Sequence, residues 1–198
     1  DQEWYTRFYG TPPAEQFRII IGFTNGPCNY GPSRKLTGQP KEVFAIMNYA
    51  VDDNERPIFY KKVVETVVHE FCHSFTKIKG DTEKALEKSG KALQEYTYFS
   101  MRRQAYGTWR NILEESLVRA ATICYLIDHD YDEKDIRNAI IEQVDRNFFW
   151  MPELVQTLRY YESHRKKYPT FTSFYPEIIR FFDRYVTNME KEMKKAMK

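Results

Sequence analysis

Three observations on the 198-residue sequence predict an α+β fold. The first third is dense in Gly and Pro and holds two short β-branched runs. From residue 58 onward, apolar residues recur at three- and four-residue spacing, the mark of amphipathic helices. No segment repeats and none is of low complexity. The expected architecture is a small N-terminal sheet followed by a mainly helical C-terminal half, within one domain over 1–198. Residues 1–80 would supply the sheet, a long loop and the first helix, and 81–198 the helical part.

The run FRIIIGF (17–23) is bounded by turn formers and reads as a buried strand. NGPCNYGPSRKLTGQP (25–40) is a loop, and its length alone marks it as a candidate for function. EVFAIMNYA (42–50) reads as a second strand, and DDNERP (52–57) as the turn after it. Helices are expected at about 59–78, 82–104, 108–127, 133–148, 152–163 and 173–195. Asp81, with Glu83 and Glu87 after it, suits a helix start, and Pro152 and Pro176 suit first turns.

Composition excludes some classes. With 30 basic and 28 acidic residues the net charge is +2, which gives no reason to expect nucleic acid or an anionic membrane as partner. The basic tail KEMKKAMK reads as a solvated helix end. No apolar run approaches the roughly 20 residues that cross a bilayer. Cys28, Cys72 and Cys124 are far apart and form no CxxC pair, so a cysteine metal site or a disulfide framework is not expected. A monomer is expected.

The chemistry concentrates in VVHEFCHSF (67–75). At about 100° per residue, Val63, Val64, Val67, Val68, Phe71, Phe75 and Ile78 form one apolar stripe. His69 and His73 lie one turn apart and point roughly opposite the stripe's centre. Core histidines would lie on the stripe, so the plain alternative is a solvated surface pair. Two imidazoles at i and i+4 can instead meet one Zn²⁺ ion, and Glu70 between the two faces can reach a water held there. His69-Glu70-x-x-His73 is therefore a metal motif on a well-supported helix. Cys72, at the stripe's edge, reads as a small buried apolar residue.

A catalytic zinc takes a third protein ligand and keeps one position open. The longer pattern HExxHxxGxxH fails, because Thr76 and Lys79 stand at its glycine and third-histidine positions. A carboxylate from a second helix remains. In NILEESLVRAATICYLI (111–127), Trp109, Ile112, Leu113, Leu117, Ala120, Ile123, Cys124 and Ile127 form the apolar face. Glu114 and Glu115 flank that face about equally, so periodicity does not choose between them.

These segments resemble the gluzincin metallopeptidases, whose ligand glutamate lies on a helix after HExxH. Glu115-Ser-Leu-Val-Arg119-Ala120 is similar to that segment, and on this resemblance Glu115 is the third ligand, with Glu114 second. More widely, RIIIGFTNGPCNYGPS, VVHEFCHSF and EESLVRA resemble a gut-bacterial family of metallopeptidase-like domains of unknown function, over most of residues 1–130. The resemblance implies a zincin-like fold, with EVFAIMNYA as the strand at the cleft's upper edge, able to bind a peptide by β-augmentation. It also implies an extracytoplasmic location (periplasmic, surface or secreted). Two departures stand out. Arg119 occupies the position where gluzincins often carry an Asp that buttresses a histidine. The glycine-bearing recognition strand of the aminopeptidases is absent, so exopeptidase action is not implied.

Related enzymes stabilise the oxyanion with a Tyr or His from a later helix. Tyr160, Tyr161, His164, Tyr168 and Tyr175 are the candidates, and His164 is preferred because it lies among polar residues. His129 reads as a solvated loop residue. The expected function is a zinc-dependent endopeptidase, with His69, His73 and Glu115 as ligands, Glu70 as general base, His164 assisting, and the loop 25–38 bordering the cleft. The alternative is a zincin-shaped binding module with a structural or vestigial metal site that recognises protein or glycan.

Overall fold

The structure is a computed structural model that describes residues 1–13, 15–24, 29–58 and 61–197, the side chains of Ala50 and Lys61 excepted. It is α+β, with a small sheet near the N-terminus and a helical majority. Cys28 and the expected helix start at 59–60 lie outside the described residues.

The chain opens with a helix that sequence periodicity had not marked. Helix α1 (Gln2–Tyr9) is capped by Asp1, whose carboxylate accepts from the Trp4 amide, and is closed by Gly10 in the left-handed conformation. Its buried face carries Trp4, Tyr5, Phe8 and Tyr9. These rings account for part of the high aromatic content. Tyr9 stacks on Phe75 at 4.3 Å between centroids, and Tyr5 meets Phe17 edge-on at 5.5 Å.

Three strands form the main sheet: β1 (Glu15–Ile21), β2 (Ser33–Arg34) and β3 (Lys41–Met47), in the order β1-β3-β2. β1 runs parallel to β3, and β2 antiparallel to it. The expectation of a buried first strand is corrected: β1 is an edge strand. Ile19, Ile20 and Ile21 are 59%, 42% and 44% exposed, because β1 pairs with β3 on one side only. Phe17 is half-buried, stacked on Phe71 at 4.3 Å. β3 is the central strand, and Val43, Ala45 and Met47 alternate into the core. A hairpin, β4 (Ala50–Val51) and β5 (Pro57–Ile58), follows. Its turn is tied by the Asp52 carboxylate, which accepts from the amides of Asn54 and Arg56.

Helix α2 (Lys61–Cys72) packs between β3 and α5 (Trp109–Asp128). It ends six residues earlier than periodicity predicts. Residues 73–75 continue as turn, with tighter bonds from the amides of Ser74 and Phe75 to the carbonyls of Phe71 and Cys72. The Thr76 hydroxyl donates to the Cys72 carbonyl, and the Ile78 amide donates to the Glu114 carboxylate, so the chain is drawn off the helix axis. The expected helix at 82–104 is two, α3 (Asp81–Tyr96) and α4 (Tyr98–Arg103). Thr97 divides them, at φ −109° and ψ 11°, with its hydroxyl donating to the Leu93 carbonyl at 2.6 Å. Gly90 lets α5 approach α3, since a Cβ there would lie 2.5 Å from Trp109.

α5 is the central helix, buried on nearly every side and packed on α2, α3, α6 (Glu133–Asp145) and α7 (Met151–Ser163). α8 (Phe171–Ala196) closes the fold against α3 and α7. Thr170 and Ser173 form its capping box, which places Pro176 in the second turn rather than the first. Among the described residues, no helix is long and apolar enough to cross a membrane.

Candidate metal centre

α2 and α5 cross so that His69, His73 and Glu115 face one another. His69 Nε2 lies 3.3 Å from Glu115 Oε1, and His73 Nε2 lies 3.6 Å from Glu115 Oε2. One donor atom from each of the three falls within 4.8 Å of the others, so the group can hold one metal ion. No other such group occurs among the described residues. The two imidazole centroids are 5.0 Å apart. They line a cavity of about 480 Å³ with Glu70, Tyr106, Arg119 and, from α6, Glu142 and Gln143.

Periodicity left Glu114 and Glu115 equal, and the tertiary packing separates them. Glu115 is 6% exposed and faces the histidines. Glu114 accepts from the Ile78 amide at 2.8 Å and from Lys77 at 3.2 Å, so it anchors the chain leaving α2.

Glu115 is held firmly. Arg119, one turn on, donates to Oε1 at 2.7 Å, and the Tyr106 hydroxyl donates to the same oxygen at 3.0 Å. Arg119 also donates to Tyr106 Oη at 2.9 Å and to Gln143 Oε1 at 2.6 Å, and it lies over the Phe148 ring. The second oxygen, Oε2, meets only His73 among these groups. Burial alone would raise the Glu115 carboxyl. The hydrogen bond and charge of His69, with Arg119 and His73, outweigh it and hold Glu115 well below the usual carboxylate range. Burial, seconded by His69, pushes His73 down to about 4, so at neutral pH its imidazole is uncharged and has a lone pair to offer. Burial raises the Glu70 carboxyl, which makes it a stronger base than a solvated carboxylate. Two imidazole nitrogens and a fixed carboxylate oxygen form a donor set that suits a divalent ion.

Glu70 and His73 also line a second cavity, of about 790 Å³, with Gly31, Ser33, Lys77 and Tyr175. The loop expected to border the cleft does so through Asn29, Gly31 and Ser33. Gly31 sits directly on Glu70: a Cβ at that position would be 2.3 Å from Glu70 Oε2, so any side chain there would push the carboxylate aside.

The structure does not bring His164 to this cluster. It follows α7, which packs on α5, α6 and α8 rather than on α2. Its ring stacks on Tyr160 at 3.9 Å, and Nδ1 is 2.9 Å from the Tyr160 carbonyl and from Ser163 Oγ. It lines neither cavity. Tyr160 shares that stack, Tyr161 bonds the Phe8 carbonyl, and Tyr168 bonds Glu177. Of the five residues, Tyr175 alone lines a cavity with Glu70 and His73, and its buried hydroxyl has no hydrogen-bond partner among the described residues. His129 is not a free loop residue: it caps α5, stacks on Tyr125 and lies 3.3 Å from Asp1. Cys72 and Cys124 are free and buried.

Sequence reasoning did not find Tyr106, Gln143 or Glu142. Tyr106 lies in a short non-helical link and is one of 15 tyrosines, so neither period nor motif marks it.

Residues 4–181 match the family described as Domain of unknown function (DUF4932). No curated protein and no solved structure matches the chain. The match spans most of the sequence and includes both helices of the centre, and the chain belongs to the DUF4932 family.

Proposed function

We propose that the protein is a zinc-dependent metallohydrolase that cuts peptide bonds within polypeptides. The observation that carries this reading is the convergence of His69 from α2, His73 from the turn that follows it and Glu115 from α5, beside a half-buried Glu70 on a solvent-reaching cavity. The gluzincin likeness rests on those residues alone. Four donors set tetrahedrally at 2.0–2.1 Å from zinc lie about 3.3–3.4 Å apart. His73 Nε2 is 3.6 Å from Oε2, near that value, and one donor atom from each of the three residues lies within 4.8 Å of the others, so the set needs only to draw in to hold the ion.

When bound, zinc polarises the scissile carbonyl and makes water nucleophilic at neutral pH. The chain's own residues do the rest. Arg119 and Tyr106 fix Glu115 Oε1 and leave Oε2 to the metal. Glu70 takes the proton of the attacking water and returns it to the leaving amine, and its raised carboxyl suits both transfers. Tyr175 lines the second cavity with Glu70, and its uncommitted hydroxyl, turned into that cavity, would be the donor to the carbonyl oxygen.

The test is Glu70→Gln. It should keep the metal and lose turnover of an unfolded protein such as casein by at least about 100-fold. Turnover equal to that of the parent would refute the mechanism. A second reading, a binding module with a structural metal, is favoured by the contact of Gly31 on Glu70. It predicts metal in both proteins and turnover in neither.

A further inference from the structure

The segment Asn29–Arg34 runs along the cleft-side edge of β3, and we propose that it is a displaceable strap holding the place of an extended polypeptide substrate. Substrate would enter by strand exchange, antiparallel to β3. The substrate class and the control of access rest on the hydrolytic reading. Occupation of the edge does not.

The register is that of an antiparallel partner. Tyr30 exchanges both backbone bonds with Ile46, at 3.0 and 2.8 Å, the Pro32 carbonyl accepts from the Phe44 amide at 2.9 Å, and Ser33 stands opposite Val43. This path crosses Glu70, with Gly31 against its carboxylate. The strap divides the cleft. Asn29 lines one cavity, Gly31 and Ser33 line the other, and Glu70 and His73 line both. With the strap lifted, the two cavities become one groove passing over Glu70.

The strap is also a poor strand. None of its side chains is buried, so little apolar burial holds it down. Pro32 accepts from Phe44 but has no N–H to return, so the strap gives the Phe44 carbonyl no donor. An incoming peptide with an ordinary residue there makes one more ladder bond than the strap does. The fixed points are the Arg34–Glu42 ion pair at 2.5 Å and the Asn29 side chain on the Asn48 amide at 2.9 Å, both at its ends. β3 therefore presents a substrate edge already formed and covered by a weaker competitor.

A reversible crosslink tests this. Ser33 and Val43 are opposed in a pair that exchanges no backbone bonds, where Cα atoms lie about 4.5 Å apart, within disulfide range. The full chain carrying Ser33→Cys, Val43→Cys, Cys28→Ser and Glu70→Gln is prepared oxidised and then reduced with a phosphine, at equal metal content. Binding of fluorescein-labelled β-casein is read by anisotropy. The reduced form serves as the folding control for the same substitutions. The expected result is binding at least about tenfold weaker in the oxidised form, restored on reduction. Equal binding in the two forms, or no binding in the reduced form, overturns the proposal. The expected binding difference, found beside a parent that hydrolyses nothing, upholds the strap and removes the hydrolytic reading instead.

Discussion

Replacing Arg119 by Met probes the charge balance on which the metal centre rests. The Arg119 side chain is 12% exposed and that of Glu115 7%, with 2.7 Å between them. Met keeps the length of the stem and removes the charge, together with the guanidinium that lies over Phe148. Taking away one partner of a buried ion pair costs about 3–5 kcal/mol, because the other charge is left uncompensated. Here Tyr106 still donates to Glu115 and two imidazoles stand within 3.6 Å, so the lower end applies, about 3 kcal/mol. At about 2–4 °C per kcal/mol for a chain of this size, the metal-free variant should melt about 6–12 °C below the parent. A bound divalent cation supplies the missing positive charge. Zinc should therefore raise the melting temperature of the variant by more than it raises that of the parent, and recover most of the loss. The assay is thermal unfolding of chelator-treated protein with and without saturating zinc. A metal-free variant as stable as the parent would refute the buried-pair reasoning. Equal zinc shifts in the two proteins would refute the placement of metal and arginine on the same carboxylate.

Three further outcomes follow from the same geometry. Glu114→Ala should lower stability by about 1–2 kcal/mol through the lost bond to the Ile78 amide and leave zinc binding intact, whereas Glu115→Gln should abolish zinc binding; calorimetric titration with zinc separates the two. Gly31→Ala forces the Glu70 carboxylate, a flexible group, to swing aside, so stability should change by less than about 0.5 kcal/mol while casein turnover falls about 100-fold. Burial and the neighbouring Asp128 push Glu162 up to about 8, so the folded state keeps a proton that the unfolded chain releases from about pH 4.5. That group's contribution to stability falls as pH rises from there to about 8 and is then fully lost. Glu162→Gln should match the parent below that range and melt a few degrees higher, about 3–6 °C, at pH 8.5 in a pH series of melting curves.

What was legible in the sequence was local. The stripe from Val63 to Ile78 and the apolar face of α5 follow from period alone, and they placed His69 and His73 off the core and Glu115 at its margin. The α+β order was readable because the β-branched runs end before the helical period begins. What failed depends on long-range partners. Ile19–Ile21 reads as buried, but an apolar run does not say whether its strand has one neighbour or two. α1 carries Trp4, Tyr5, Phe8 and Tyr9 at helical spacing, yet eight residues in a Gly- and Pro-rich third are too few to outweigh their surroundings. The break at Thr97 depends on one hydroxyl returning to a carbonyl a turn earlier. His164 was preferred for its polar neighbours, and those neighbours are what hold it, in the Tyr160 stack and the end of α7. The choice between Glu114 and Glu115 needed the Ile78 amide, which approaches from another element.

Metal content tests the central claim most directly. Elemental analysis of protein purified without a histidine tag, beside His69→Ala, should find one zinc per chain in the parent and none in the variant, because His69 supplies one of three donors within 4.8 Å. A parent that holds no metal after zinc addition and dialysis, or a variant that holds as much as the parent, would contradict the account.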